Sequence, residues 1–305
     1  MTPQPLISIL LCTYNGAAFL EEQLKSIEEQ TYSNMEIICS DNGSTDGTDK
    51  ILEKWCEGNS SRLFTRAINL GLNINFYNAL KFAKGDYIMF CDQDDVWIPF
   101  KVERLVSFIQ QHYDASMCYG LSQQFSGTTP SEVAIMKSAP RLNGEDLRKT
   151  LLISFTLGHN MIISKKVLQQ IPIPSTETVA YDWWITVGAM CIGPIKCCEE
   201  VLTFWRQHPL NTTKVLNKPF FYKSRQEYLK SFLHLSLIPS STHQWILQAI
   251  NHFEQLNSRK YSLSLFLFLM KYADQIFFYK LKKGSLKWIS YTKLALKMSQ
   301  SDFKP

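Results

Sequence analysis

The chain has 305 residues, 45% of them hydrophobic and 19% charged, which provides for a full core and excludes an extended disordered chain. Its net charge of +5 conceals a division: residues 1–200 hold 23 Asp/Glu against 16 Lys/Arg, and residues 201–305 hold 4 against 16. An acidic front and a basic rear point to two tasks, with the rear either meeting an anionic surface or presenting solvated helix faces. Cys12, Cys39 and Cys91 lie inside apolar runs, no CxxC pair occurs, and the vicinal Cys197-Cys198 is too tight for zinc, so we expect a reducing cytosol. No basic n-region or cleavage site precedes the first apolar run, and no uncharged apolar run reaches the ~18 residues of a membrane span.

Leu6 to Cys12 is a short continuous apolar run and reads as a buried parallel strand. Phe19, Leu20, Leu24 and Ile27 have helical spacing within 17–30. Met35 to Cys39 reads as a second strand, followed by the turn formers Asp41 to Gly47, and a helix is expected over 49–56. Strands at 63–69 and 86–91 flank a helix at 73–83; a helix over 100–112 and a strand over 115–120 continue the alternation. Residues 121–145 read as polar and irregular, 181–190 as a helix, 193–208 as a strand pair, and everything beyond about 215 as helical, aromatic and basic. Alternating strands and helices predict a mostly parallel sheet covered on both faces, an α/β fold whose ligands bind at the carboxyl ends of the strands. Thr13-Tyr14-Asn15, Asp41-Asn42 and Asp92-Gln93-Asp94-Asp95 all fall at such ends, so three separate stretches should meet on one rim.

Three carboxylates within four residues repel one another and are stable together when solvated or neutralised by a cation. Hard oxygen ligands at a ligand-binding rim suit Mg2+ or Mn2+, with substrate phosphates completing the shell. An Asp-x-Asp alone is a weak motif and is often a solvated turn.

The order LLCTYNGAAFLEEQLKSIEEQTY, IICSDNGSTDGT and GDYIMFCDQDDVW resembles the family 2 inverting glycosyltransferases of GT-A fold. The resemblance covers residues 6–210, and the Asp-Gln-Asp-Asp-Val-Trp wording resembles rhamnosyltransferase-like enzymes that build bacterial surface polysaccharides. It implies a GT-A catalytic domain over 1–215, with a nucleotide-binding part to about 120 and an acceptor part to 215, followed by a helical region over 216–305. It implies donor contacts at Thr13, Tyr14, Asn15, Asp41, Asp92, Gln93 and Arg206. It implies a metal at Asp94, with His208 of the Trp-Arg-Gln-His run as a further ligand. The lining of the acceptor side is implied at His159, Asn160, Trp183 and Trp184. The favoured donor is dTDP-rhamnose, then a UDP-hexose, and the product a capsule, O-antigen or cell-wall polysaccharide.

An inverting transfer needs a base on the face opposite the leaving group, hence on a segment other than the acidic cluster. Asp182, opening a helix before two tryptophans, matches the family's catalytic Asp; its plainer role is a helix cap before core aromatics. Glu177 is the second candidate. A sugar nucleotidyltransferase is the alternative enzyme, although such enzymes open with a basic Gly-rich loop where this chain has Thr13 to Ala18 without Arg or Lys. A nucleic-acid-binding role for the rear has no recognisable motif, so no nucleic acid is expected. Lysines interleaved with aromatics over 259–300 suit an interfacial amphipathic helix on anionic lipid, bringing a cytoplasmic enzyme to the inner face of the membrane and a lipid-linked saccharide acceptor. The competing reading of the rear is a homo-oligomer interface or a cap on the catalytic domain.

Overall fold

The computed structural model describes residues 4–66, 70–127, 141–174, 178–209, 211, 221–256, 260–280 and 284–300. Glu177 lies outside them. The strands are β1 (Ile7–Thr13), β2 (Met35–Asp41), β3 (Arg62–Arg66), β4 (Tyr87–Cys91), β5 (Val96–Trp97), β6 (Met117–Phe125), β7 (Met161–Ser164) and β8 (Ile195–Arg206). The helices of the α/β part are α1 (Ala17–Glu28), α2 (Thr48–Cys56), α3 (Leu72–Leu80), α4 (Lys101–Gln111), α5 (Lys165–Leu168) and α6 (Tyr181–Ile192). Five more follow: α7 (Phe221–Phe232), α8 (Ser240–Glu254), α9 (Leu263–Lys271), α10 (Ala273–Ile276) and α11 (Ser285–Met298).

All eight strands form one sheet, in the order β3-β2-β1-β4-β7-β6-β8-β5. β3, β2, β1 and β4 are mutually parallel, β7 enters antiparallel between β4 and β6, β8 runs parallel to β6, and β5 closes the edge antiparallel. β1 is buried along its whole length because both faces of the sheet are covered. Its side chains alternate between them. Ile7, Ile9 and Leu11 meet residues of α1, α2 and α4, while Leu10 and Cys12 join α3, α6 and the C-terminal helices. After β1 the chain adds β2 and β3 on one side and then returns to place β4 on the other. The reversal opens a crevice at the carboxyl end of β1, which is where open α/β sheets bind ligands.

Two expectations are corrected. Residues 121–125 are not loop: β6 continues through Phe125, its polar Ser122-Gln123-Gln124 pairing with Thr203, Phe204 and Trp205 of β8 across register shifts around Leu121. Residues 193–208 are not a hairpin but contain one twelve-residue strand. The adjacent acids within it, Glu199 and Glu200, pair with Arg141 and Arg104 outside the strand.

The C-terminal helices do not stand apart. Leu229, Phe232, Trp245, Ile246, Leu265 and Tyr291 belong to the same contiguous core as Leu10 and Phe90 of the sheet. α6 lies between sheet and C-terminal helices and is buried nearly all round, as a helix apolar on every face must be. Among the described residues no helix is long and apolar enough to cross a membrane.

Candidate active site

The ends of β1, β2 and β4 lie side by side, with Thr13 in register with Asp41 and Leu11 with Cys91. The three predicted clusters therefore do share one rim. Most of their side chains, however, face one another. Asp41 is wholly buried, and its two oxygens accept from Thr13 Oγ1 at 2.9 Å, from the N–H groups of Gly43 (3.1 Å) and Ser44 (2.9 Å), and from Ser44 Oγ. A carboxylate so engaged has no free lone pair for a nucleotide base. Thr13 and Asp41 therefore form the floor of the crevice rather than its contact surface.

Asn15 takes φ 50°, a left-handed conformation that asparagine tolerates. Its side chain accepts from the Thr45 N–H at 2.9 Å and ties the β1 loop to the β2 loop. Gln93 clamps the peptide groups of Tyr14: its Oε1 accepts from the Tyr14 N–H at 2.8 Å and its Nε2 donates to the Tyr14 carbonyl at 3.0 Å. Only glycine fits beside that clamp, since a Cβ at Gly16 would lie 2.2 Å from Gln93 Oε1. Asn15 and Gln93 thus tie the loops of the rim together. Tyr14 is left 46% exposed and Asp92 has a 38% exposed side chain, so these two face the open crevice.

The acidic cluster divides into two poles. Asp94 Oδ2 lies 2.7 Å from His208 Nε2, with Asn211 Nδ2 at 3.4 Å. Burial and the charges of Asp95 and Asp92 push Asp94 up to about 6, against the pull of His208. The other pole is Asp92, Asp95 and His159, whose ligand-type atoms lie within 4.8 Å of one another. His159 Nδ1 sits 3.1 Å from Asp92 Oδ2 and 2.9 Å from Asp95 Oδ2. Burial pulls this imidazole down, but Asp95 and Asp92 outweigh it and bring it up to about 9. Its Nε2 lies 2.7 Å from Ser122 Oγ. The three ligand-type atoms of this pole could hold a metal ion, and Asp94 with His208 offers a carboxylate and an imidazole on the other pole.

His159 and Asn160 are each 2% exposed, so they do not line an acceptor surface. Asn160 donates to Ser122 Oγ and accepts from Thr203 Oγ1 at 2.7 Å. Arg206 is 1% exposed, and each of its three guanidinium nitrogens donates to a partner inside the protein. Its guanidinium, flanked by the rings of Phe19 and Phe125, donates to the carbonyls of Asp94 (2.9 Å) and Gly127 and pairs with Glu22. Arg206 is a bracket on the Asp94 peptide. Trp183 and Trp184 are also internal, donating to the carbonyls of Thr150 (2.9 Å) and Pro172 (2.7 Å) and packing on Tyr228 and Phe232 of α7. They join α6 to the C-terminal helices and offer no platform for a sugar.

Asp182 stands at the start of α6. Its Oδ1 accepts from the Trp183 N–H at 2.7 Å and its Oδ2 from the Gly158 N–H at 3.3 Å. Burial raises its carboxyl to about 6, helped by Asp92 and opposed by those two hydrogen bonds. Gly158 must be glycine: a Cβ there would lie 1.9 Å from the Tyr181 hydroxyl. Asp95 of the acidic cluster completes the arrangement together with Lys101, Ser122, Thr203 and Asn211, four residues that were not marked by sequence. Their signals are faint, because a lysine in a first helical turn and a serine or threonine in a strand read as ordinary surface residues.

The sequence model described as "Glycosyl transferase family 2" matches residues 8–172. A putative teichuronic acid biosynthesis glycosyltransferase, TuaG of Bacillus subtilis, is 28% identical over 224 residues, covering 72% of this chain and 87% of that protein. An uncharacterized protein of Mycobacterium tuberculosis H37Rv is 26% identical over 213 residues, 66% of this chain, and the match spans 59% of the mycobacterial protein's length. Among solved structures, Staphylococcus aureus TarS 1–349 in complex with UDP-GlcNAc superposes with a TM-score of 0.59 at 19% identity, covering 95% of this chain and 81% of TarS 1–349. The mannosyltransferase PcManGT from Pyrobaculum calidifontis, in complex with GDP-Man and Mn2+, superposes with a TM-score of 0.54 at 16% identity over 98% of this chain and 86% of that one. At these identities the two structures speak for the fold, which is GT-A-like with added C-terminal helices. With more than half its length matched by the family model, and with the crevice, acidic cluster and sheet order above, the chain belongs to glycosyl transferase family 2.

Proposed function

We propose that this glycosyltransferase is an inverting, metal-dependent enzyme that moves a sugar from a nucleoside-diphosphate donor to the saccharide acceptor of a bacterial surface polysaccharide. The observation that carries this reading is the 3-10 turn Gly158–Asn160, which meets Asp182 through its first N–H and Asp92 and Asp95 through the His159 ring. The base and the donor-side carboxylates are thereby held on separate elements, as single in-line displacement requires. Asp182 receives the acceptor hydroxyl proton, Tyr14 stacks on the base, and Asp92 contacts the donor. Thr13, Asn15, Asp41 and Gln93 shape the crevice around them.

Mg2+ or Mn2+ fits Asp94 and His208. Their 2.7 Å separation is close to the ~2.9 Å between neighbouring ligands of an octahedral ion with bonds of about 2.0–2.1 Å. Bound there, the cation supplies positive charge to the departing diphosphate. We favour dTDP-rhamnose as donor, on the wording of the Asp-Gln-Asp-Asp-Val-Trp stretch, then a UDP-hexose; TuaG and the UDP-GlcNAc complex of TarS support the broader class. The test is donor hydrolysis across a panel of nucleotide sugars with and without EDTA. Turnover of one donor that EDTA stops and Mn2+ restores is expected; release of pyrophosphate from a sugar phosphate and a nucleoside triphosphate would defeat the reading.

The division at about residue 215 separates the catalytic part from helices that cap it and, we propose, dock on an anionic membrane near a lipid-linked acceptor. α11 turns Tyr291, Ala295 and Met298 into the core while Leu286, Trp288, Ile289 and Leu296 face outward with Lys293 and Lys297. Such a mixed apolar and cationic face suits an interface, each lysine adding roughly 1 kcal/mol near anionic lipid. Flotation on vesicles containing phosphatidylglycerol should be lost on replacing Leu286, Trp288 and Ile289 together by serine. Equal flotation of that variant, or a shift from dimer to monomer instead, would assign the face to another partner.

A further inference from the structure

Lys101 opens α4 and is wholly buried. Its Nζ donates to the His159 carbonyl at 2.6 Å and to Thr203 Oγ1 at 2.7 Å, and it lies 3.6 Å from the centroid of the Trp97 ring. It makes no carboxylate ion pair among the described residues. Burial pulls the amine down to about 7, and packing alone does not call for a polar group there, because an unbranched apolar side chain would fill the same space beside Trp97.

The contacts of Lys101 lead to the reacting centre by two routes. One runs through the backbone: the carbonyl it holds belongs to His159, the middle residue of the turn whose first N–H meets Asp182 and whose ring meets Asp92 and Asp95. The other runs through side chains, from Thr203 Oγ1 to Asn160 Oδ1 at 2.7 Å, and from Asn160 Nδ2 to Ser122 Oγ, which also receives His159 Nε2. Helix α4, strands β6 and β8 and the turn therefore converge on one polar network beneath the crevice. Asn160 Nδ2 and His159 Nε2 point inward along it, while His159 Nδ1 faces the acidic cluster. The turn is the only element named here that touches both the candidate base and the acidic cluster, and Lys101 is the fixed point of that turn.

We propose that Lys101 is a positioning residue for the transfer: by anchoring the 158–160 turn it sets the separation between Asp182 and the donor-side carboxylates. The proposal rests on the glycosyltransferase reading above. Misplacing a reacting group by an ångström is enough to cost about 100-fold in rate. Lys101→Met keeps the volume and removes the anchor, Thr203→Val removes only the hydroxyl relay, and Thr203→Ser restores it. The readouts are kcat and KM for hydrolysis of whichever of dTDP-rhamnose or a UDP-hexose the wild type turns over, the pH dependence of kcat, and thermal melting.

Lys101→Met should lower kcat about 10- to 100-fold with donor KM within about 3-fold, because the nucleotide crevice is built from other elements. Its kcat should also fall off at higher pH than in the wild type, since a displaced Gly158 N–H no longer favours the Asp182 carboxylate. Thr203→Val should lower kcat about 5- to 10-fold, and Thr203→Ser should keep it within about 2-fold of wild type. A folded Lys101→Met with wild-type kcat and pH profile overturns the proposal. If Lys101→Met does not fold, the threonine pair decides: equal kcat in Val and Ser variants overturns it, and loss in Val rescued by Ser upholds it. A wild type that hydrolyses no nucleotide sugar would instead defeat the underlying reading.

Discussion

Asp182→Asn is expected to lose between about 100- and 10,000-fold in kcat, the range that a positioned general base contributes. The amide keeps the volume of the side chain, and its oxygen still accepts from the Gly158 or Trp183 N–H, so the start of α6 should hold and the protein should melt close to wild type. Donor binding should survive, because Tyr14 and Asp92 lie on other segments. The pH profile gives a second check. The carboxyl titrates at about 6 because burial disfavours its charged form. A base must be ionised to accept a proton, so kcat should be level above that value and fall as pH drops through it. Asp182→Asn should leave a residual rate without this limb. A variant with near-normal turnover, or one that retains the limb, would remove Asp182 from the base role.

The second large effect concerns the other pole. Asp94→Ala takes away a carboxylate that shares the His208 contact, while the Asp94 carbonyl held by Arg206 remains in place. We expect transfer to fall by at least about 100-fold at any metal concentration, the order of effect of losing a positioned electrostatic stabiliser. His208→Ala should be milder, raising the Mn2+ needed for half-maximal rate by about 10- to 100-fold, the scale on which a single contact to a metal site acts. A metal titration of nucleotide-sugar hydrolysis checks both. An unchanged metal requirement in His208→Ala would return that histidine to a structural role. Asp92→Asn separates the two poles: its loss should appear in donor KM and in the His159 ion pair, with the metal requirement unchanged.

The strands and the rim were legible because buried parallel strands leave a continuous apolar signature, as in Ile7–Thr13, and because polar residues directly after such runs have few places to go. Composition could not tell inward from outward. Arg206, His159, Asn160, Trp183 and Trp184 are all residue types that contact substrates, yet each has its polar atoms satisfied inside the protein, by partners far away in sequence. Arg206 reaches Glu22 across 184 positions, and His159 reaches Asp92 across 67. Lys101 was missed for the converse reason. A lysine in the first turn of an amphipathic helix reads as solvated, and only tertiary packing under Trp97 makes it internal. β8 was misread as a hairpin because Glu199-Glu200 interrupts its apolar pattern, and the edge strand β5, two residues long, carries no periodicity to detect.

The stacking of Trp184 on Phe232, with ring centroids 6.0 Å apart, bears on how this chain can be recombined. The helix whose second residue is Asp182 continues, two residues later, as part of the wall against which the C-terminal helices close. A chimaera that takes its tail from a relative will therefore need the matching α6 face as well, since a mismatched tail would reach the candidate base through two residues of rigid helix. Helix α6 and the tail should accordingly travel together as one exchangeable block, with its natural crossover point before Tyr181 rather than at the junction after β8.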